Sequence, residues 1–226
     1  MSSPVRVVTS FSPRRVERQQ KCLKSWIAAG CEVTGIQSPG ETEILAPLFP
    51  EVNFKETTLV GNLFLRPKLV RISAMINEAP VLILNSDIEV RATAEVFAER
   101  WSSVEEKKIK IGIRWNEDPV TKKTSLFKWG IDAFLIEPWM IRDLPDIGMT
   151  MGCPAWDYWI PIKLHKAGYK MITQKQEELI HEDHEKQWTT REYHAGLGLL
   201  QKHTGMGQKS AAMLVQKLTD RSSVRR

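Results

Sequence analysis

The sequence contains no apolar run of about 18 residues, the length that a membrane-spanning helix requires. Its start, MSSPVRVVTSFSPRR, has a short β-like stretch where a secretory leader would carry a basic segment followed by a long apolar one. The three cysteines, Cys22, Cys31 and Cys153, include no pair with the spacing of a zinc knuckle or a redox motif. We therefore expect a cytoplasmic protein with reduced thiols and no membrane insertion.

Three familiar site signatures are also missing. No G-x-x-x-x-G-K-[ST] loop occurs, and the glycines of GLGLL (196–200) follow no predicted strand, which disfavours P-loop and Rossmann cofactor sites. HEDHE (181–185) ends in glutamate where a zincin helix needs its second histidine. These classes of site are therefore not expected.

The chain is long enough for one α/β domain with a full core, since it has 226 residues of which 42% are apolar and 26% charged. Its net charge of +5 is unevenly distributed. Residues 1–30 and 202–226 each hold six Lys or Arg against one acid, so the segment between them is net −5. Basic ends around an acidic centre suit an anionic ligand or partner, although solvated surface charge is the commoner cause of a basic run.

Predicted strands and helices alternate through the first half of the chain, which favours an α/β fold with a mostly parallel sheet. Strands are predicted over 5–11, 31–37, 53–59, 81–90, 108–115, 130–138 and 169–173. Helices are predicted over 14–29, 66–77, 94–101, 154–167 and 190–203. We expect one main domain over 1–203 and a basic tail over 204–226 that carries a short amphipathic helix. Ligands of such sheets bind beyond the carboxyl ends of the strands.

The segment VLILNSDIEV (81–90) leads the most apolar predicted strand into a cluster of polar residues. Asp87 and Glu89 are two residues apart, so in an extended backbone their side chains point the same way, together with Asn85. Carboxylate and amide oxygens suit Mg²⁺ or Mn²⁺. A capped turn with solvated acids is the alternative for so short a motif.

The order of the motifs resembles nucleotide-sugar-dependent glycosyltransferases of the GT-A fold, over about residues 4–190. In that family a D-x-D-type motif after a hydrophobic central strand holds a divalent cation against the donor diphosphate. NSDIE is a variant of this motif, with Asn85 at its first position. The resemblance implies a mostly parallel, Rossmann-like central sheet flanked by helices, and a Mn²⁺- or Mg²⁺-dependent transfer of sugar from a nucleotide-sugar donor to an acceptor hydroxyl.

The resemblance also implies a donor site and a metal site. The implied donor-binding residues lie at the end of the first strand, in the RPK segment and in the variant motif: Thr9, Ser10, Phe11, Arg14, Arg66, Lys68, Asn85, Ser86 and Asp87. The implied metal ligands are Asp87, Glu89, His181 and His184, with one of the two histidines completing the metal shell. Ordinary surface histidines are the alternative for this last pair.

The catalytic carboxylate implied by the resemblance is Asp157, in the segment GCPAWDYWIPIKLHKAGYK (152–170). The implied acceptor-binding residues are Asp132 in GIDAFLI, Trp156 and Trp159. A carboxylate in this place would deprotonate the acceptor hydroxyl. A helix cap is an equally good explanation of Asp157, and core packing is the commoner role of the tryptophans.

Two other functions remain open from the sequence. A sugar-phosphate nucleotidyltransferase of similar fold usually has a glycine-rich basic loop after its first strand, and TSFSPRR (9–15) has the arginines without the glycines. The basic ends suit a non-catalytic nucleic-acid-binding protein, although no known aromatic-basic signature is present. A glycosyltransferase acting on a hydroxylated base in DNA would combine the basic ends with an acidic metal-binding centre.

Overall fold

The N-terminal part of the chain forms the parallel part of a mixed sheet in the computed structural model, which describes residues 4–58, 80–142, 144–152, 154–184 and 188–221. Strands β1 (Val5–Thr9), β2 (Cys31–Gln37) and β3 (Asn53–Glu56) pair in parallel, and β4 (Val81–Leu84) joins the other side of β1, also in parallel. Every residue of β4 is buried, as expected for an apolar strand at the centre of a sheet.

The remaining described strands extend the sheet beyond β4. They are β5 (Ile88–Val90), β6 (Lys108–Glu117), β7 (Thr124–Ile136), β8 (Lys170–Gln174) and β9 (Leu179–Glu182). The order is β3-β2-β1-β4-β7-β6-β9-β5, and β8 pairs with the first half of β6. Strand β7 is antiparallel to both of its neighbours and β5 is antiparallel to β9, but five of the eight described pairings are parallel. The prediction of a mostly parallel sheet is confirmed.

Helices cover both faces of the sheet. They are α1 (Val16–Ala28), α2 (Glu41–Leu45) with a 3₁₀ turn after it (Ala46–Leu48), α3 (Ala94–Trp101), α4 (Pro138–Arg142), α5 (Trp156–Lys166), α6 (Thr190–Thr204) and α7 (Gln208–Arg221). Among the described residues, no helix is both long enough and apolar enough to cross a bilayer. The helix predicted over 66–77, with Arg66 and Lys68, lies outside the described residues.

Two hydrophobic cores lie on opposite faces because alternate side chains of a strand point to opposite sides. In β4, Leu82 and Leu84 belong to the core that holds Trp26 of α1, whereas Val81 and Ile83 belong to the other core. The second core contains α5 and the buried residues of the C-terminal helix α7, which are Ala211, Ala212 and Val215. The amphipathic helix predicted in the tail is therefore packed against the body of the protein.

Helix α1 is hydrogen-bonded to strand β5, which follows the turn after β4. The indole Nε1 of Trp26 donates a hydrogen bond to the carbonyl of Ile88 at 2.7 Å. The backbone N–H of Val90 donates to the hydroxyl of Ser25 at 2.9 Å. Because α1 also follows β1 near the other end of the strand order, these contacts show that the sheet is curled.

The glycine in the middle of α6 has a packing reason. A Cβ on Gly196 would overlap the carbonyl oxygen of Pro154, just before α5, whereas a Cβ on Gly198 would meet nothing within 4 Å. We expect Gly196→Ala to lower the free energy of unfolding by about 1–3 kcal/mol through overpacking. Gly198→Ala should raise it by up to about 1 kcal/mol, because alanine favours a helix. Urea denaturation of the two variants checks this, and equal stability would contradict the close helix packing.

Candidate active site

A turn at the end of β4 carries the candidate site. The N–H of Ile88 donates to the carbonyl of Asn85 at 3.2 Å, which closes the turn over Ser86 and Asp87. The chain then returns as β5, in which Ile88 is opposite His181 of β9. Asp87 is therefore next to His181 in space although they are distant in sequence.

Asp87, His181 and His184 converge on one point. The Nε2 atoms of the two histidines each lie 3.3 Å from Oδ2 of Asp87, and the two rings are 4.8 Å apart at their centroids. The side chain of Asp87 is 32% exposed, against 7% for His181 and 16% for His184. The cluster thus contains one buried and one partly buried imidazole and is most open on the carboxylate side.

The charge of Asp87 is strongly favoured by its surroundings. Burial by itself would raise the pKa of Asp87, but the hydrogen bonds from His181 and His184, together with the positive charge of Arg18, hold that pKa well below its usual range. Arg18 of α1 donates a hydrogen bond from Nη2 to the carbonyl of Glu182 in β9. Its buried Nε has no hydrogen-bond partner among the described residues. A fixed cation therefore accompanies the three clustered side chains.

The donor set and its spacing fit a divalent cation. In an octahedral shell with bonds of about 2.1 Å, adjacent ligand atoms are about 3 Å apart, which is close to the two 3.3 Å separations at Asp87. No other group of three His, Cys, Asp or Glu ligands occurs among the described residues. One carboxylate and two imidazoles suit Mn²⁺, Fe²⁺ or Zn²⁺ and leave positions for water or substrate.

Glu89 lies apart from these three ligands. Its carboxylate is 2.9 Å from Nζ of Lys21 and 3.0 Å from Nη2 of Arg91. The expectation that Asp87 and Glu89 share one face assumed an extended backbone, but the turn places Asp87 before the strand begins. The structure therefore groups Asp87 with the two histidines and pairs Glu89 with cations.

Gln37 forms hydrogen bonds with two of the predicted donor-binding residues at the end of β1. The sequence analysis did not identify Gln37. Its amide accepts from the hydroxyl of Ser10 at 3.0 Å and from the N–H of Phe11 at 2.9 Å, and donates to the carbonyl of Phe11 at 2.8 Å. The ring of Phe11 is buried, 4.5 Å from that of Phe49, so it belongs to the core. Thr9 is also buried and its hydroxyl has no partner among the described residues, whereas Arg14 is exposed.

A second polar group connects the turn to α5. Asn85 donates from Nδ2 to Oδ1 of Asp132 at 2.6 Å, and Nη1 of Arg114 lies 3.3 Å from the same oxygen. Burial and the charge of Asp132 raise the pKa of Asp157, at the start of α5, to about 7, while Arg114 opposes this shift. Asp157 is not the cap of its helix, since the N-cap is Ala155. A carboxyl that titrates near neutrality suits proton transfer.

The two tryptophans predicted to bind the acceptor lie in the core. Trp156 is 4% exposed and packs edge-on to Phe134 with the ring centroids 5.4 Å apart. Trp159 is completely buried. Both belong to the same core cluster as Phe134. The structure therefore assigns them to packing, which the aromatic composition of the segment did not distinguish from ligand stacking.

No family model matches the sequence, and no curated protein does so either. Solved structures do match. The mannosyltransferase PcManGT from Pyrobaculum calidifontis, in complex with GDP-Man and Mn²⁺, superposes with a TM-score of 0.54 and 14% identity over 95% of this chain and 65% of that one. The inositol-1-phosphate CTP transferase from T. maritima superposes with a TM-score of 0.55 and 10% identity over 88% and 98% of the two chains. The chain has a GT-A-like fold.

This likeness confirms the predicted fold class, a GT-A-like single domain with a mostly parallel, Rossmann-like central sheet flanked by helices. At these identities it establishes the fold alone. The chain spans 65% of the length of the mannosyltransferase. One fold supports many different functions, so the function depends on the residues of the site.

Proposed function

We propose that this protein transfers a sugar from a nucleotide-diphosphate donor to an acceptor hydroxyl, with Mn²⁺ or Mg²⁺ held by Asp87, His181 and His184. The observation that carries the proposal is the convergence of these three side chains on the turn after the central strand. The similarity of fold to a mannosyltransferase solved with GDP-Man and Mn²⁺ supports it. The two histidines make Mn²⁺ the better fit, because Mg²⁺ prefers an all-oxygen shell.

The chemistry needs two things from the protein, which are charge neutralisation at the leaving group and a base at the acceptor. A bound cation would neutralise the charge of the leaving diphosphate. Arg18 supplies a further positive charge at the same place, and Arg66 and Lys68 remain predictions for this role. As the acceptor oxygen bonds to the anomeric carbon, the bond to the diphosphate breaks with its electron pair on phosphate, and Asp157 takes the hydroxyl proton.

Arg18 is expected to bind the diphosphate. Replacing it by Gln removes a cation beside Asp87 and should weaken binding of a nucleoside diphosphate with Mn²⁺ by about tenfold, the loss of one charge-assisted hydrogen bond. Affinity for the nucleoside monophosphate should change less. The exposed Lys24 of the same helix gives a matched control, since Lys24→Gln also removes one positive charge from α1 and Lys24 is outside the predicted donor site. Equal losses in the two variants, measured by calorimetric titration, would mean that only the net charge matters.

A thermal-shift screen of nucleoside diphosphates and nucleotide sugars, each with and without Mn²⁺, tests the proposed function. Ligand at 100 times its dissociation constant stabilises the folded state by about 2.7 kcal/mol, which gives a shift of several degrees. We expect one nucleotide to stabilise the protein in a metal-dependent manner. The absence of a response to every donor would contradict the proposal.

The likeness to a CTP transferase over 98% of its length supports a second candidate, a sugar-phosphate nucleotidyltransferase. Such an enzyme would release pyrophosphate when given a nucleoside triphosphate and a sugar phosphate. The missing glycine-rich loop after β1 weighs against it. Pyrophosphate release with a sugar phosphate, without hydrolysis or transfer from a nucleotide sugar, would favour this candidate over the first.

A hydroxylated base in DNA is one acceptor that the basic ends of the chain would suit. Binding through such charges falls steeply with salt concentration. A gel-shift measurement with duplex DNA at low salt tests the prediction, and negligible affinity would exclude DNA as the acceptor.

A further inference from the structure

The imidazole of His181 uses only one of its two nitrogens at the three-residue cluster. Its Nε2 lies 3.3 Å from Oδ2 of Asp87, where the cation is proposed to bind. Its other nitrogen, Nδ1, is buried and has no hydrogen-bond partner among the described residues. When Nε2 of a neutral imidazole binds a cation, the single N–H hydrogen of the ring is on Nδ1. Metal binding at His181 therefore leaves a buried N–H group that needs an acceptor.

The carboxylate of Asp183 is in position to be that acceptor. Its Oδ1 lies 3.9 Å from Nδ1 of His181, about 1 Å beyond the usual length of a hydrogen bond. The two residues are two apart, so along an extended backbone their side chains lie on the same side. The side chain of Asp183 is 53% exposed, which leaves it room to rotate toward the ring.

The backbone holds Asp183 and His181 in a fixed relation. The N–H of Asp183 donates to the carbonyl of Glu117 at 2.9 Å, which continues the pairing of β9 with β6 by one residue. His181 lies between two strands, opposite Ile88 of β5 and Asn116 of β6. A rotation of the Asp183 side chain is therefore enough to bring the carboxylate to Nδ1, without movement of the strands.

The residue between these two, Glu182, has different partners. Its Oε2 lies 3.4 Å from Nζ of Lys122, and its backbone carbonyl accepts the hydrogen bond from Arg18. Alternation along the strand places its carboxylate on the side opposite to that of His181. Two adjacent carboxylates thus differ in their relation to the cluster, and only that of Asp183 lies beside Nδ1.

We infer that Asp183 is a positioning residue of the metal site, whose carboxylate accepts the Nδ1 hydrogen of His181 and so directs Nε2 at the cation. The inference rests on the proposed function only in taking His181 as a ligand of a divalent cation. Histidine ligands usually donate their second ring N–H to a carboxylate, a carbonyl or water, which fixes the orientation of the ring and makes its ligating nitrogen more basic. The sequence analysis named both histidines of HEDHE but not the aspartate between them.

The affinity for Mn²⁺, measured by electron paramagnetic resonance, tests this role with three variants. Asp183→Ala removes the acceptor and should weaken binding by about tenfold or more, because loss of such a partner costs about 10- to 100-fold. Asp183→Asn keeps an acceptor oxygen without the charge and should recover part of this loss. Glu182→Gln removes the adjacent carboxylate and should stay within about threefold of the parent.

Two results of this series would overturn the inference. Equal losses in Asp183→Ala and Glu182→Gln would mean that any acid of the segment supports the cation. An Asp183→Asn variant that binds Mn²⁺ no better than Asp183→Ala would mean that only the charge at this position matters. Because the side chain of Asp183 is more than half exposed, we expect both of its variants to fold.

The ring of His181 gives a second readout that does not depend on affinity. Zn²⁺ is diamagnetic, so long-range ¹H–¹⁵N NMR of the Zn²⁺-loaded protein shows which nitrogen carries the hydrogen, and the signals absent in His181→Gln are those of His181. We expect the hydrogen on Nδ1, protected from exchange with solvent in the parent, and loss of this protection in Asp183→Ala. Equal protection in the two proteins, or a hydrogen on Nε2, would overturn the inference.

Both measurements use the metal alone and need neither nucleotide nor turnover. Absence of sugar transfer would therefore contradict the proposed function without changing either result. A parent protein that binds neither Mn²⁺ nor Zn²⁺ would overturn the metal site and the inference together. Metal binding that is the same in the parent and in Asp183→Ala would overturn the inference alone.

Discussion

Replacing Asp87 by Asn is expected to weaken Mn²⁺ binding by about 100-fold or more and to abolish metal-dependent binding of the nucleotide. Loss of a residue that only orients a metal ligand costs about 10- to 100-fold in affinity, so loss of a direct ligand should lie at or beyond the upper end. Asn also removes the negative charge that the two histidines and Arg18 favour. Titration of Mn²⁺ followed by electron paramagnetic resonance measures the affinity directly.

Glu89→Gln is the matched control for this variant. It removes a second carboxylate only two residues away, one that the structure places with Lys21 and Arg91. We expect its Mn²⁺ affinity to stay within about threefold of the parent, because a partly exposed ion pair contributes little to a neighbouring site. Equal losses in Asp87→Asn and Glu89→Gln would show that the cation is held by the general acidity of the segment.

Replacing Asp157 by Asn should lower the rate of sugar transfer by about 10²- to 10⁴-fold, the usual contribution of a general base, while donor binding is retained. In the parent, the pKa of Asp157 is raised to about 7, so the rate should rise with pH through neutrality. At pH 5 only about one hundredth of the molecules would carry the ionised base. A rate independent of pH between 5 and 8 would contradict the assignment.

The same variant should be more stable than the parent at alkaline pH. The unfolded carboxyl ionises near pH 4, but in the folded protein the pKa of Asp157 is about 7, so ionisation favours the unfolded state as pH rises between these values. Asn removes this penalty, and the gain in Tm should be largest at pH 8 and absent near pH 4. Glu99→Gln, which removes an exposed carboxylate from α3, is the matched control for the substitution itself. A Tm below that of the parent at pH 8 would mean that Asp157 stabilises the fold instead.

The strand and helix patterns predicted most of the elements that position the site. The continuous apolar run of β4 and the spaced apolar residues of α1 indicate their burial whatever their neighbours, because hydrophobic periodicity is a local property. The pattern did not show that β7 would run antiparallel between β4 and β6, nor that LIHE (179–182) is a strand. Strand order and direction depend on contacts between distant segments, which a local pattern does not contain.

The site residues also fall into two groups, those that the sequence identified and those that only the structure showed. Asp87 and the two histidines were proposed as ligands from the order of motifs, and the structure brings them together. Arg18, Gln37 and Arg114 were not identified, because a single Arg or Gln in a helix or strand has no sequence context that distinguishes a site residue from surface or core. The only feature of the sequence that could have indicated Arg18 is its position. It lies about one helical turn after Arg14, in the segment that follows β1.

By itself, the sequence determined a one-domain α/β chain with an apolar central strand that ends in ligand-type residues. The tertiary structure alone decided that the turn separates Asp87 from Glu89, that β9 places His181 opposite Ile88, and that Asn85 and Arg114 anchor Asp132. The physical reason is that burial follows from side-chain chemistry along the chain. The geometry of a site follows from strand register and turns, which fix atoms of distant residues within about 3 Å of one another.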